Sequence, residues 1–188
     1  MDIYDLAPKD VFSYFAAISS IPHGSYNLGK ITEYCVNFAK TNNLEYKTDE
    51  AGNVVIYKPG TAGLEDHKPV ILQGHLDMVC EKNAGCSHDF AKDPIPYVIE
   101  DGWMVSHDTT LGADDGMGVA AIMAVMESKD LKHGPLEALI TADEETGMYG
   151  ANALEGGVLK GQVLLNLDSE SEGELYIGCA GGVDTTAT

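Results

Sequence analysis

Apolar side chains recur every three to four positions over residues 10–19 (DVFSYFAAIS), the spacing of one helix face. Ile21-Pro22-His23-Gly24-Ser25 then breaks the pattern. A second helical pattern runs from about residue 27 to 41, with Ile31, Tyr34, Cys35 and Phe38 on one face. Two short strands are expected at 44–48 and 53–57, joined by a turn at Asp49-Glu50-Ala51-Gly52. Further along, amphipathic spacing gives way to short apolar runs at 69–74, 136–142 and 162–167, each the signature of a strand buried on both faces. Between them, Leu111-Gly-Ala-Asp-Asp-Gly116 leads into a helix of small residues at 117–126, and 151–155 has the look of a short helical turn. Residues 174–179 and 183–188 read as a closing pair of strands around a Gly-Gly turn. Buried strands alternating with helices predict an α/β fold, a three-layer α/β/α arrangement on a mostly parallel central sheet.

In such sheets ligands gather outside the carboxyl ends of the strands. His75 and Asp77 follow the first apolar run, Asp143-Glu144-Glu145 the second, and Asp168 the third. Asp114 and Asp115 precede the small-residue helix. Taken singly, each has an ordinary role: a hydrogen-bonded histidine, a helix cap, acids in a solvated loop. If the three strands are parallel, all of them fall on one edge of the sheet. Carboxylates packed there repel one another unless a cation sits between them. Imidazole with carboxylates suits Zn²⁺ or a similar divalent ion, and so many carboxylates suggest a two-metal site.

Charge and composition narrow the partners. The 188 residues carry 30 acidic and 11 basic side chains, a net charge of −19, and every basic residue is a lysine. Nucleic acid and anionic membrane surfaces are disfavoured partners for so acidic a chain. Without arginine there is no bidentate clamp for a substrate carboxylate. No apolar run approaches the roughly 18 residues of a membrane span. The scattered cysteines, Cys35, Cys80, Cys86 and Cys179, show no CxxC spacing, and the amino terminus has no signal pattern, so a reducing cytoplasm is expected. Trp103 is expected to cover a hairpin and His23 to be a loop residue.

The strings GHLDMVCEKN (74–83), HDFAKDPI (88–95), TTLGADDGMGVA (109–120), ITADEETGMYGA (140–151), LLNLDSE (164–170) and GCAGG (178–182) resemble the aminoacyl-histidine dipeptidases. This family, also called Xaa-His dipeptidases, peptidase D or cytosolic non-specific dipeptidases, belongs to the di-zinc carboxypeptidase-like hydrolases. The resemblance runs in order along nearly the whole chain and is densest from Pro69 to Gly182. It implies a zinc-peptidase fold of the phosphorylase/hydrolase-like type and hydrolysis of unblocked dipeptides, typically Xaa-His. It also implies a role for each motif residue. His75 binds one metal and Asp77 orients its imidazole. Asp114 bridges two metals and Asp168 completes the shell of the first. Glu145 binds the second, and Glu144 is the general base that takes a proton from the metal-bound water. Glu144 and Glu145 are expected on an extended segment, pointing opposite ways. Asp115 is left as the helix cap. Zn²⁺ is the expected metal, with Co²⁺ or Mn²⁺ as substitutes, and a homodimer the expected assembly of the complete enzyme.

The family pattern needs one further metal-binding histidine, and no histidine follows His133. It also places a lid and dimerisation domain about where this chain stops. The expectation is therefore that residues 1–188 are the N-terminal segment of the metallopeptidase catalytic domain, incomplete at its carboxyl side, inactive or impaired alone, with some apolar sheet surface exposed. Two other readings stay open: a non-catalytic metal-binding fragment, or a related aminoacylase or tripeptidase. With three protein ligands for the first metal and two for the second, calorimetric zinc titration of residues 1–188 should show one strong site; two equally tight sites would sink that ligand count.

Overall fold

A computed structural model of the chain describes residues 2–169, 171, 173–179 and 181. Helix α1 spans Lys9–Ser19 and α2 Gly29–Thr41. Strands β1 (Glu45–Thr48) and β2 (Val54–Lys58) form the expected hairpin, with Gly52 supplying the positive φ of its turn. Strand β3 is Val70–His75, and a second hairpin pairs β4 (Val98–Glu100) with β5 (Trp103–Val105). Helix α3 (Ala113–Glu127), β6 (Leu136–Thr141), the short α4 (Tyr149–Ala153) and β7 (Val163–Asn166) follow.

The main sheet has the order β1-β2-β6-β3-β7. Strands β6, β3 and β7 run parallel, and β2 and β1 add an antiparallel margin. Alternate side chains sort into two layers. Val54, Ile56, Leu136, Ala138 and Ile140 join the core built with α1, α2 and α3, whereas Val55, Ile71 and Leu139 pack on the other face under Leu154, Val158 and Leu159. Helix α3 lies deep: Val119, Ala120, Ile122, Met123 and Met126 are all buried. Its small residues let α1 approach, since a Cβ on Gly116 would lie 3.1 Å from the Phe15 ring.

The structure departs from the sequence-based expectations in three places. Strand β7 was expected to be buried, but Val163, Leu164 and Leu165 stay about half exposed (51%, 49% and 50%) because β7 is an edge strand with little packed on it. Residues 174–179 are not a strand, and the expected strand at 183–188 lies outside the described residues. Trp103 lies within the β4–β5 hairpin rather than over it, and is 74% exposed. No helix among the described residues is long and apolar enough to cross a membrane.

One buried polar side chain ties the sheet to the loop beyond β6. The Asn53 amide nitrogen donates to Asp49 Oδ2 (2.7 Å) and to the Gly150 carbonyl (2.8 Å), and its oxygen accepts from the Ala142 N–H (3.0 Å). Gly150 is required at that approach, because a Cβ there would sit 2.5 Å from the Ala142 carbonyl oxygen. Asn53→Ala leaves two buried main-chain groups unpaired. It should lower unfolding free energy by about 2 kcal/mol or more in chemical denaturation, since each such group costs roughly 1–3 kcal/mol.

Candidate metal centre

Parallel pairing of β3 with both β6 and β7 puts the carboxyl ends of three strands on one edge. His75 closes β3 and Asp77 stands two residues on; Glu144 and Glu145 follow β6; Asp168 follows β7; Asp114 lies in the first turn of α3. The fold thus brings together all six sequence-predicted site residues.

His75 is the centre of the cluster and is almost wholly buried. Its Nδ1 lies 2.9 Å from the Asp77 carbonyl oxygen, which can only accept, so Nδ1 carries the proton. Nε2 therefore turns its lone pair outward, towards Asp114 Oδ1 at 3.0 Å, Asp168 Oδ2 at 3.8 Å and Glu144 Oε2 at 4.0 Å. Donor atoms of His75, Asp114 and Asp168 all lie within 4.8 Å of one another, and so do those of His75, Glu144 and Glu145. Glu144 and Glu145 do not sit on an extended segment. The N–H groups of Gly147 and Met148 both donate to the Glu144 carbonyl, and this turn aims the two carboxylates the same way.

Asp77 holds this arrangement from below. Its buried carboxylate faces His75 Nδ1 at 3.5 Å and accepts from the N–H of Glu144 (2.8 Å), the N–H of Glu145 (3.2 Å) and the Ser25 hydroxyl (2.7 Å). Burial alone would raise its pKa, but the bonds from His75, Ser25 and Glu144 outweigh burial and hold it below the usual carboxylate range. Burial likewise opposes charge on His75; the bond to Asp77 and the charges of Asp115, Asp77 and Asp168 overcome it and lift the ring to about 10. Glu144 and Glu145 are raised, first by burial and then by neighbouring acids.

Asp115 is not the helix cap. The cap position falls at Gly112, without a side-chain bond, and Asp115 is buried with Oδ2 accepting the His75 N–H at 3.1 Å. Burial, with the charges of Asp168 and Asp114, pushes its carboxyl up to about 7. Gly74 and Gly118 make room for it, since a Cβ on either would lie 2.4 or 2.1 Å from its oxygens. Asp143, first of the three acids after β6, turns away and accepts the Tyr26 N–H at 2.7 Å. His23 lies in the loop after α1, as expected, and is buried there: its Nδ1 lies 2.6 Å from the Ile21 carbonyl, and burial lowers its pKa. Sequence reasoning missed Ser25 and Asn53. Ser25 had a local signal only in its place after the Ile-Pro-His-Gly break.

Comparison with known proteins agrees with this geometry. The chain is 48% identical over 186 residues to the cytosol non-specific dipeptidase of Escherichia coli, covering 99% of this chain and 38% of that protein. Its fold matches the crystal structure of aminoacylhistidine dipeptidase from Vibrio alginolyticus with a TM-score of 0.92 and 48% identity, over 95% of this chain and 36% of that one. Aminopeptidase PepT from Bacillus cereus matches with a TM-score of 0.72 and 25% identity, over 87% of this chain and 44% of that one. The chain thus spans less than half the length of each of these relatives. The model of peptidase family M20/M25/M40 matches residues 71–180, the stretch that carries His75, Asp77, Asp114, Glu144, Glu145 and Asp168, and the chain belongs to that family.

Proposed function

We propose that the chain carries the hydrolytic centre of a metal-dependent dipeptidase acting on unblocked dipeptides, Xaa-His among them. One observation carries the reading. Four carboxylates from three segments close on a single buried imidazole at the strand ends, in a chain 48% identical to a dipeptidase. Residues 1–188 are then the N-terminal segment of the metallopeptidase catalytic domain. The expected setting is the cytoplasm, and the expected assembly is a homodimer of the complete polypeptide.

The donor set fits a divalent transition cation, being one imidazole with its tautomer already fixed and several carboxylate oxygens. His75, Asp114 and Asp168 would hold one Zn²⁺, and Asp114 with Glu145 a second, with Asp114 as the bridge; Co²⁺ or Mn²⁺ accepts the same donors. A cation held there supplies Lewis acidity, polarising the scissile carbonyl and making water nucleophilic near neutral pH. Glu144 takes a proton from the attacking water and delivers it to the leaving amine. Its carboxyl, raised by burial, is a stronger base than an exposed glutamate. Asp77 keeps the imidazole turned and, through two N–H bonds, keeps the main chain of Glu144 and Glu145 in register with it.

In the complete natural polypeptide, Glu144→Gln should cut dipeptide hydrolysis by about 10²–10⁴-fold while bound metal, read by elemental analysis, stays near the unsubstituted level. Retained activity would refute the base assignment. A second expectation concerns the metal-free protein. Folding raises His75 from about 6.5 to about 10, so the folded state binds the extra proton and the unfolded state does not. The stability this lends is complete below pH 6.5 and is lost as pH rises towards 10. Denaturation in chelator at pH 7, 8 and 9 should therefore show falling stability, and a rise across that window would contradict it.

A further inference from the structure

The geometry points to Ser25 as a positioning residue for hydrolysis, acting through Asp77; this rests on the dipeptidase reading above. The Ser25 hydroxyl donates to Asp77 Oδ2 at 2.7 Å, across 52 residues of sequence. A carboxylate has about four lone-pair directions. At Asp77 the Glu144 N–H takes one on Oδ1 and the Glu145 N–H one on Oδ2, while the His75 Nδ1, whose proton is held by the Asp77 carbonyl, stands 3.5 Å from Oδ1. Ser25 supplies the one side-chain donor hydrogen-bonded to this carboxylate among the described residues. It is the donor that belongs neither to a residue proposed to bind metal nor to the proposed base. Oδ2, which Ser25 engages, is also the oxygen that the Glu145 N–H reaches at 3.2 Å, a looser bond than the 2.8 Å contact from Glu144 to Oδ1. Without the hydroxyl, rotation of the Asp77 carboxylate about its own axis loses its outer restraint. The Glu144–Glu145 turn, whose N–H groups bond that carboxylate, then loses a fixed reference, and the charge behind the imidazole shifts with it.

The loop holds Ser25 in place without help from the hydroxyl. The Met78 N–H donates to the His23 carbonyl (3.2 Å), the Asn27 N–H to the Gly24 carbonyl (2.9 Å), and the Tyr26 N–H to Asp143 Oδ1 (2.7 Å). Gly24 passes so close to Cys80 that a Cβ there would lie 2.3 Å from its sulfur. The loop is thus tied on one side of Ser25 by a main-chain bond to the segment that carries Asp77, and on the other by the Tyr26 N–H to the Asp143 carboxylate beside Glu144. Removing one hydroxyl leaves those ties intact, so the effect reports on Asp77 rather than on folding.

The test compares Ser25→Ala, Ser25→Thr and Glu144→Gln in the complete, metal-loaded natural polypeptide with a His-containing dipeptide as substrate. Ser25→Ala is expected to lower kcat about 10-fold with KM changed less than about twofold, an orientation defect expressed in the transition state. Ser25→Thr, which keeps a hydroxyl, is expected to recover most of the loss, which a purely structural role for the loop would not require. A folded Ser25→Ala protein with kcat within twofold of the parent overturns the inference, and so does failure of Ser25→Thr to recover activity. Should Ser25→Ala not fold, the role assigned here is wrong, because the bonds at His23 and Tyr26 do not hold the loop as argued. An active Glu144→Gln variant instead overturns the functional reading itself. An inactive Glu144→Gln beside an unimpaired Ser25→Ala removes only the role of Ser25.

Discussion

Carboxylates crowded into a partly buried pocket cannot all stay ionised without positive charge among them, and this constraint organises the whole of the strand-end edge. In the structure the carboxylates converge on His75, whose imidazole lies 3.0 Å from Asp114 and within 4.0 Å of Glu144 and Asp168. Burial opposes charge on that ring, and the bond to Asp77 with the charges of Asp115, Asp77 and Asp168 favours it. The orientation of the ring, with Nδ1 on a carbonyl and Nε2 facing the acids, makes a single lone pair the place where a proton and a metal ion compete.

That constraint explains why the surrounding elements look as they do. Gly74 and Gly118 lack side chains because the Asp115 carboxylate occupies the space a Cβ would take, and Asp115 in turn fixes the main chain at His75. Asp77 performs the same service for the loop after β6, and Asn53 pins the start of that loop to the sheet. Three buried polar side chains, each with its bonds satisfied, convert strand ends into a fixed template; half-satisfied, the same groups would destabilise it.

Much of this was legible in the sequence because short apolar runs declare strands, and chemistry follows directly where each run stops. His75, Asp77, Glu144, Glu145 and Asp168 could be placed that way, with Asp114 marked by its position before a helix of small residues. The role of Asp115 was not legible. Two adjacent aspartates give the same local signal, and only the approach of a strand with glycine at position 74 decides which one turns inward. Burial of β7 was misread for a related reason: an apolar run reports what a strand can bury, not what lies beside it. The β4–β5 hairpin followed from Asp101-Gly102, both with positive φ, a strong turn signal that was passed over in favour of the single tryptophan.

The half-exposed β7 strand bears on more than surface chemistry. It carries Asp168, and it is joined to the sheet through β3 alone. The other ligand-bearing segments are anchored by buried polar bonds or by a deep helix, whereas this one leans on an edge with few apolar contacts, the kind of element that opens first in local fluctuations. Of the segments that carry the donor set, β7 is thus the one placed least by apolar packing, and Asp168 is the donor whose position depends most on the β3 ladder.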